Sequence, residues 1–267
     1  MKPTRRLWQW LGIVFVLSFA TLGWLGREIY LAAPPIPTKV VTADGATLYT
    51  GDRIQYGQQA WLSAGGQQLG TVWGHGSYVA PDWSADWLHR EAAALREIFA
   101  QREHRQPFDS LSPTQQAAIA ATVKAEMRRN TYDAATGTIT VSNERARAIE
   151  ATAQHYIDLF GDAPALEKLR DQYAMTDDTL PQLEDRQALG AFFFWSSWAA
   201  ATDRPGQSGL SYTSNWPHEP LVGNSLTAGS ALWSIASIIL LIGGIGAMIW
   251  YHTAHAEEPD PAVPAGD

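Results

Sequence analysis

Apolar positions along the chain follow three patterns. Two uncharged runs, Leu7 to Gly26 and Ala228 to Trp250, are about 20 and 23 residues long. Each is long enough to cross a hydrocarbon core of about 30 Å. Between them the repeat is mostly helical. Asp52 to Ala64 is expected as a helix burying Ile54, Tyr56, Ala60, Trp61 and Leu62, with Gly65-Gly66 ending it. Ser84 to about His104 carries Leu88, Ala92, Leu95 and Phe99 at helical spacing, with Ser84 as the expected cap. The charged residues of that segment, Arg90, Glu91, Arg96, Glu97, Arg102 and Glu103, read as a solvated face.

Ser112-Pro113-Thr114-Gln115 has the form of a capping box and opens a helix to about Arg129. Asn143 is the expected cap of a helix ending near Phe160, and Pro164 opens a shorter one to about Tyr173. Gln182 to Thr202 is helical and uncharged from Ala188 onward, too short for a span and therefore expected to be buried or partner-facing. Alternating patterns predict small hairpins at Lys39–Thr50 and Thr131–Val141. Asp203 to Asn224, rich in Pro, Gly, Ser and Asn, reads as a loop.

The ends of the apolar runs give a topology. Lys2, Arg5 and Arg6 precede the first run, and Trp8, Trp10 and Trp24 lie near its ends, which places the N-terminus in the cytoplasm. A cleaved leader ending at Leu31-Ala32-Ala33 is the rival reading. In the second run, Ser230, Ser234, Ser237, Gly243, Gly246 and Ala247 form a small-residue face suited to helix packing. The expected organisation is an anchor at 1–30, an outer domain at 31–227, a second span at 228–251 and a disordered cytoplasmic linker at 252–267.

Composition narrows the chemistry. The chain has 267 residues and no cysteine, which excludes disulfides, thiolate metal sites, cysteine nucleophiles and haem attached through thioethers. A net charge of −8 argues against nucleic acid as a partner. No zinc, P-loop, dinucleotide or nucleophile-elbow motif is present. Neither apolar run holds an ionisable side chain, so neither offers a proton path or a haem ligand. The unusual stretch is Trp73 to Glu91, a glycine-rich loop running into a helix, with three Trp, one Tyr and two His. A two-histidine site at His75 and His89 is the sharper reading, and polar residues of a packing interface the plainer one.

That stretch and its surroundings resemble the N-terminal part of quinol-dependent nitric oxide reductases. The residues that carry the resemblance are Gly57-Gln58-Gln59-Ala60-Trp61 and Gly74-His75-Gly76-Ser77-Tyr78-Val79-Ala80-Pro81-Asp82. In cytochrome c subunits of related enzymes a Cys-x-x-Cys-His motif lies between such segments; here its place is taken by Gly66-Gln67-Gln68-Leu69-Gly70. The resemblance implies a mainly α, haem-free cytochrome c-like extracytoplasmic domain between two transmembrane helices. It places the chain in a bacterial inner membrane with residues 31–227 in the periplasm. The family's haem b, haem b3 and non-haem iron are held by histidines of later helices, and quinol is oxidised there, so no cofactor is expected in this chain. Its expected partners are the membrane and a twelve-helix catalytic bundle, met through Trp73, His75, Tyr78, Trp83, Trp87 and His89. The backbone carbonyls of Gly76 and Tyr78 become candidate calcium ligands at that interface. On this reading the chain is a fragment, or a truncated or split gene product, inactive alone. A two-span sensor with an outer ligand-binding domain is the alternative.

Overall fold

A computed structural model describes residues 3–255. The fold is mainly helical. It begins with α1 (Pro3–Leu31), followed by a short hairpin of β1 (Lys39–Thr42) and β2 (Thr47–Thr50). Next come α2 (Gly51–Ser63), α3 (Trp83–His104) and α4 (Pro113–Arg128). A second hairpin, β3 (Tyr132–Asp133) and β4 (Thr138–Val141), leads into α5 (Asn143–Leu159), α6 (Glu167–Gln172) and α7 (Leu183–Ala201). The chain closes with β5 (Asp203–Arg204), β6 (Gln207–Ser211) and α8 (Ala228–Ala254). Its contacts form two units, one through Ser225 and one from Leu226 onward.

Helices α1 and α8 are each long and apolar enough to cross a membrane, and neither buries its apolar window within the chain. In α8, the Ser237 hydroxyl returns a hydrogen bond to the Trp233 carbonyl at 2.8 Å, satisfying its polar atom inside the helix. Of the linker expected at 252–267, His252 to Ala254 instead continue α8; residues 256–267 and the side chain of Ser230 lie outside the described residues.

Helix α7 forms the centre of the first unit. Ala188 to Ala201 is buried almost throughout, which suits a helix that is apolar on every side. Helices α2, α3 and α5 surround it. The tightest approach is α2 against α7: a Cβ added at Gly57 would lie 2.0 Å from the Ala188 carbonyl oxygen. One turn on, Trp61 packs against Phe192 with ring centroids 5.8 Å apart. The glycine and tryptophan four residues apart on α2 are therefore a close-approach point and its neighbouring anchor. Around α7 an aromatic core gathers Trp83 and Phe193, stacked at 5.8 Å, with Phe160 edge-on to Trp83 at 5.4 Å. Trp87 stacks on Tyr156 at 5.2 Å. A second apolar cluster joins the later half of α3 to α4 through Leu95, Phe99, Ile119, Val123 and Met127.

Both predicted hairpins are present, and they join edge to edge. β1 runs parallel to β4, with Val40 opposite Ile139, giving a four-stranded sheet in the order β2-β1-β4-β3. This long-range pairing has no signature in either strand alone. The β5–β6 hairpin lies inside the expected loop and turns at Pro205-Gly206, where Gly206 has φ +76.

Three local expectations need correction. Asp82, not Ser84, caps α3, its Oδ1 accepting from the Ala85 N–H at 3.0 Å. Ser142, not Asn143, caps α5. Tyr56 and Leu62 face outward on α2, while Gly57 faces inward, because the close approach to α7 needs the residue without a side chain. One larger correction concerns Glu91. It is wholly buried on α3, where Arg145 of α5 donates to its Oε1 at 2.7 Å and the Trp87 indole donates to its Oε2 at 2.8 Å. With α5 and α7 both packed on α3, its buried arc is wider than the spacing of Leu88, Ala92, Leu95 and Phe99 implies. A charge in that arc persists because it is paired and hydrogen-bonded.

Replacing Gly57 with Ala should lower stability by about 1–3 kcal/mol through overpacking of α2 on α7. Chemical denaturation of the solubilised chain measures this. Ala substituted at the exposed Gln58 serves as the control and should leave the midpoint nearly unchanged.

Candidate docking surface

The Trp73–Glu91 stretch is held from within by one carboxylate. Asp82 is nearly buried, and its Oδ2 accepts from the Thr71 hydroxyl at 2.7 Å and from the Gly74 N–H at 2.6 Å, while Oδ1 caps α3. Thr71 Oγ1 in turn accepts from the Gly76 N–H at 2.8 Å. Thr71 and Asp82 also bridge through their backbones, closing the loop at its base. Gly76 has φ +84, a conformation in which a side chain would be strained. At the tip, the Ser77 N–H donates to the Ala80 carbonyl at 2.9 Å and the Ala80 N–H donates to Ser77 Oγ at 3.2 Å. Tyr78 projects from this turn and is wholly exposed, with Val79 half exposed beside it.

The rest of the stretch is clamped by two other parts of the chain. The Trp73 indole donates to the Ser196 carbonyl of α7 at 2.8 Å, and its ring lies 5.3 Å from that of Trp195. Trp73 has φ +56, rare for a bulky residue; its N–H is held by Ser84 Oγ at 3.2 Å. The loop after β6 covers the other flank. Trp216 donates from its indole to the Gly74 carbonyl at 2.9 Å and packs on His75 at 4.7 Å. Glu219 meets His89 at 3.2 Å and also accepts from the Leu221 N–H at 2.9 Å. Asn224 ties this loop to α7 by donating to the Ala200 carbonyl at 3.0 Å.

The residues proposed from sequence therefore separate into two groups. Trp83 and Trp87 are fully buried in the aromatic core and cannot serve as docking residues, since they stack on Phe193 and Tyr156 within this chain. Trp73 is half-buried against α7. His75, Tyr78 and His89 are exposed, and the two histidines take separate partners, Trp216 and Glu219. Among the described residues, no group of three or more His, Asp and Glu is placed to hold a metal. Sequence reasoning missed Trp216 and Glu219 as partners of this stretch. Their composition, Trp-Pro-His-Glu-Pro in a polar loop, was the available signal.

Behind the loop, Asp86 Oδ2 accepts from both the Tyr156 hydroxyl and Arg90 Nε at 2.7 Å. Burial raises the Tyr156 phenol well above its ordinary value, with the Asp86 charge adding to it. His155, edge-on to Tyr156 at 5.3 Å, leaves Nε2 buried without a hydrogen-bond partner. Burial lowers its pKa below the ordinary 6.5, and the Arg90 charge lowers it further.

Comparison with known families gives one result: residues 37–218, about two thirds of the chain, match the family model for the NorB cytochrome c-like domain of nitric oxide reductase. No curated protein matches the chain.

Asp82→Ala removes a helix cap and two further hydrogen bonds to a charged group, an expected loss of about 2–4 kcal/mol. Hydrogen exchange should rise first at the Gly74 and Gly76 amides. His155 makes a separate, pH-dependent contribution. Its folded pKa lies below the unfolded one, so as pH falls through about 6.5 the unfolded chain binds a proton that the folded chain refuses. Stability is retained above that pH and declines below it. In His155→Phe, the difference in melting temperature between pH 7.5 and pH 5.5, both about a unit from the ordinary histidine value, should be smaller than in the parent chain.

Proposed function

The chain belongs to the NorB family of nitric oxide reductases through its cytochrome c-like domain, and from this we propose that it is the N-terminal anchoring and docking portion of a quinol-dependent nitric oxide reductase. The whole enzyme would reduce two molecules of nitric oxide to nitrous oxide and water with electrons from quinol. This portion supplies an anchor, an outer domain that covers the catalytic region, and the first helix of the catalytic bundle. Helices α1 and α8, each able to span a bilayer, support a location in the bacterial inner membrane. Arg5 and Arg6, in the first turns of α1 ahead of its uncharged run, support a periplasmic outer domain. The histidine ligands for haem b, haem b3 and non-haem iron belong to the catalytic bundle.

The observation that carries the haem-free assignment is the combination of a cytochrome c-like domain with a cysteine-free sequence. The end of the segment in the attachment position packs tightly instead, at Gly70, while Gln67 and Gln68 are exposed. Trp61 donates to the Gly70 carbonyl at 3.2 Å, and a Cβ added at Gly70 would lie 2.2 Å from the Trp83 indole nitrogen. These residues do not fit a thioether-linked haem. Calcium fits only as a shared ion. Gly76 and Tyr78 supply two carbonyls of the six to eight oxygens calcium requires, and Asp82 is already committed to the loop. The remaining ligands would have to come from the catalytic partner. Docking is assigned to the exposed rim of His75, Tyr78, Val79 and His89.

The full chain, tagged and co-expressed with the family's catalytic bundle, should co-purify with it from membranes, and Tyr78→Ala should reduce recovery severalfold. The complex should consume nitric oxide with a quinol donor, and the chain purified alone should not. A haem absorbance in the chain purified alone would overturn the assignment, as would a failure to recover the bundle.

A further inference from the structure

We propose that the cleft between the end of α1 and the β5–β6 hairpin binds the headgroup of a phosphatidylethanolamine lipid, with Arg204 holding the phosphate and Glu28 the ammonium. The cleft has a volume of about 420 Å³ and is lined by Glu28, Leu31 and Ala32 on one side and by Arg204, Gln207 and Tyr212 on the other. The inference rests on α1 spanning the bilayer, as the proposed function has it.

Three observations carry it. The first is depth. The uncharged run of α1 ends at Gly26, and Leu31 lies five residues beyond it. At 1.5 Å per residue the cleft begins about 3–8 Å outside the hydrocarbon, within the headgroup layer. The exposed Tyr30 lies at the same level, where aromatic residues prefer to sit.

The second is an uncompensated guanidinium. Arg204 donates from Nε to the Ser211 carbonyl at 2.8 Å and from Nη2 to the Tyr212 carbonyl, which fixes its plane without neutralising its charge. Among the described residues no carboxylate lies within ion-pair distance of it. The neighbouring Asp203 is taken by Arg128. Partial burial lowers the Arg204 pKa from its ordinary value, and a phosphate in the cleft would favour the charged form again.

The third is the opposing charge. Glu28, about half exposed, lines the same cleft and gives only Oε1 to Arg27. A cation and an anion on facing walls match a zwitterion whose ammonium can donate hydrogen bonds. They disfavour a choline headgroup, which cannot donate to the free Oε2 of Glu28; Arg27 partly offsets the Glu28 charge, so an anionic lipid is the competitor that the experiment includes.

The full chain is reconstituted in phosphatidylcholine nanodiscs containing equal amounts of phosphatidylethanolamine and phosphatidylglycerol, then extracted for native mass spectrometry. The parent chain should retain phosphatidylethanolamine preferentially. Arg204→Gln should reduce retention about tenfold, the effect of losing a charge-assisted hydrogen bond. Because Arg204 also ties down the β5–β6 hairpin, Glu28→Gln is the second variant. It leaves the hairpin untouched and should abolish the preference for ethanolamine over choline while phospholipid is still retained. Unchanged retention in Arg204→Gln, an unchanged preference for ethanolamine in Glu28→Gln, preference for phosphatidylglycerol, or displacement of the lipid by inorganic phosphate would overturn the proposal. A separate test of the α1 span labels Thr4→Cys, in a chain otherwise free of cysteine, with a membrane-impermeant thiol reagent; labelling is expected only in inverted vesicles, and labelling in right-side-out vesicles would refute the premise rather than the cleft.

Discussion

Burial of α7 is the constraint on which the outer domain depends. From Ala188 to Ala201 this helix has no charged residue, and water cannot be left on any of its sides at tolerable cost. Three helices must therefore close around it, and each contributes what that closure demands. Helix α2 contributes Gly57, because the Ala188 carbonyl occupies the volume a side chain would take. Helix α3 contributes Trp83 and Trp87, and α5 contributes Tyr156. The buried Glu91–Arg145 pair joins α3 to α5 behind these rings, so the two helices cannot slide without breaking a desolvated ion pair.

The Trp73–Glu91 loop inherits its rigidity from this core. Asp82 belongs both to the loop and to the cap of α3, so the loop is fixed at the point where the helix begins. Trp73 reaches α7, and the loop containing Trp216 and Glu219 closes over the other side. What remains outward is a small rim around Tyr78, an apolar ring on a turn with little conformational freedom. A preorganised tip of this kind loses little entropy when it meets a partner. The same tight packing places Trp83 against Gly70.

Much of the secondary structure was legible in the sequence because it depends on local chemistry. The capping box at Ser112–Gln115 forms as its residues require, and the spacing of Leu88, Ala92, Leu95 and Phe99 marks the buried face of α3. The apolar runs at both ends read directly as long helices. Local signals failed where two residues compete for one role. Asp82 and Ser84 can both cap α3, and only the position of Thr71 and Gly74 selects Asp82, leaving Ser84 to hold Trp73. The density of aromatic residues in Trp73–Glu91 was equally visible, but not its direction, since helical phase alone does not say how wide an arc of α3 its neighbours will cover.

Local residue chemistry is enough to place most of the helices, the two candidate spans, the absence of any thiol, and the segments that carry the family resemblance. These follow from periodicity, length and residue chemistry, which act over a few neighbouring positions. The tertiary structure alone decided that Trp83 and Trp87 point inward while Tyr78 points out, that Glu91 is buried, that β1 pairs with β4, and that Arg204 comes to face Glu28. Each of these depends on contacts between residues distant in the chain. Their cost or benefit exists only once the intervening helices have closed around α7.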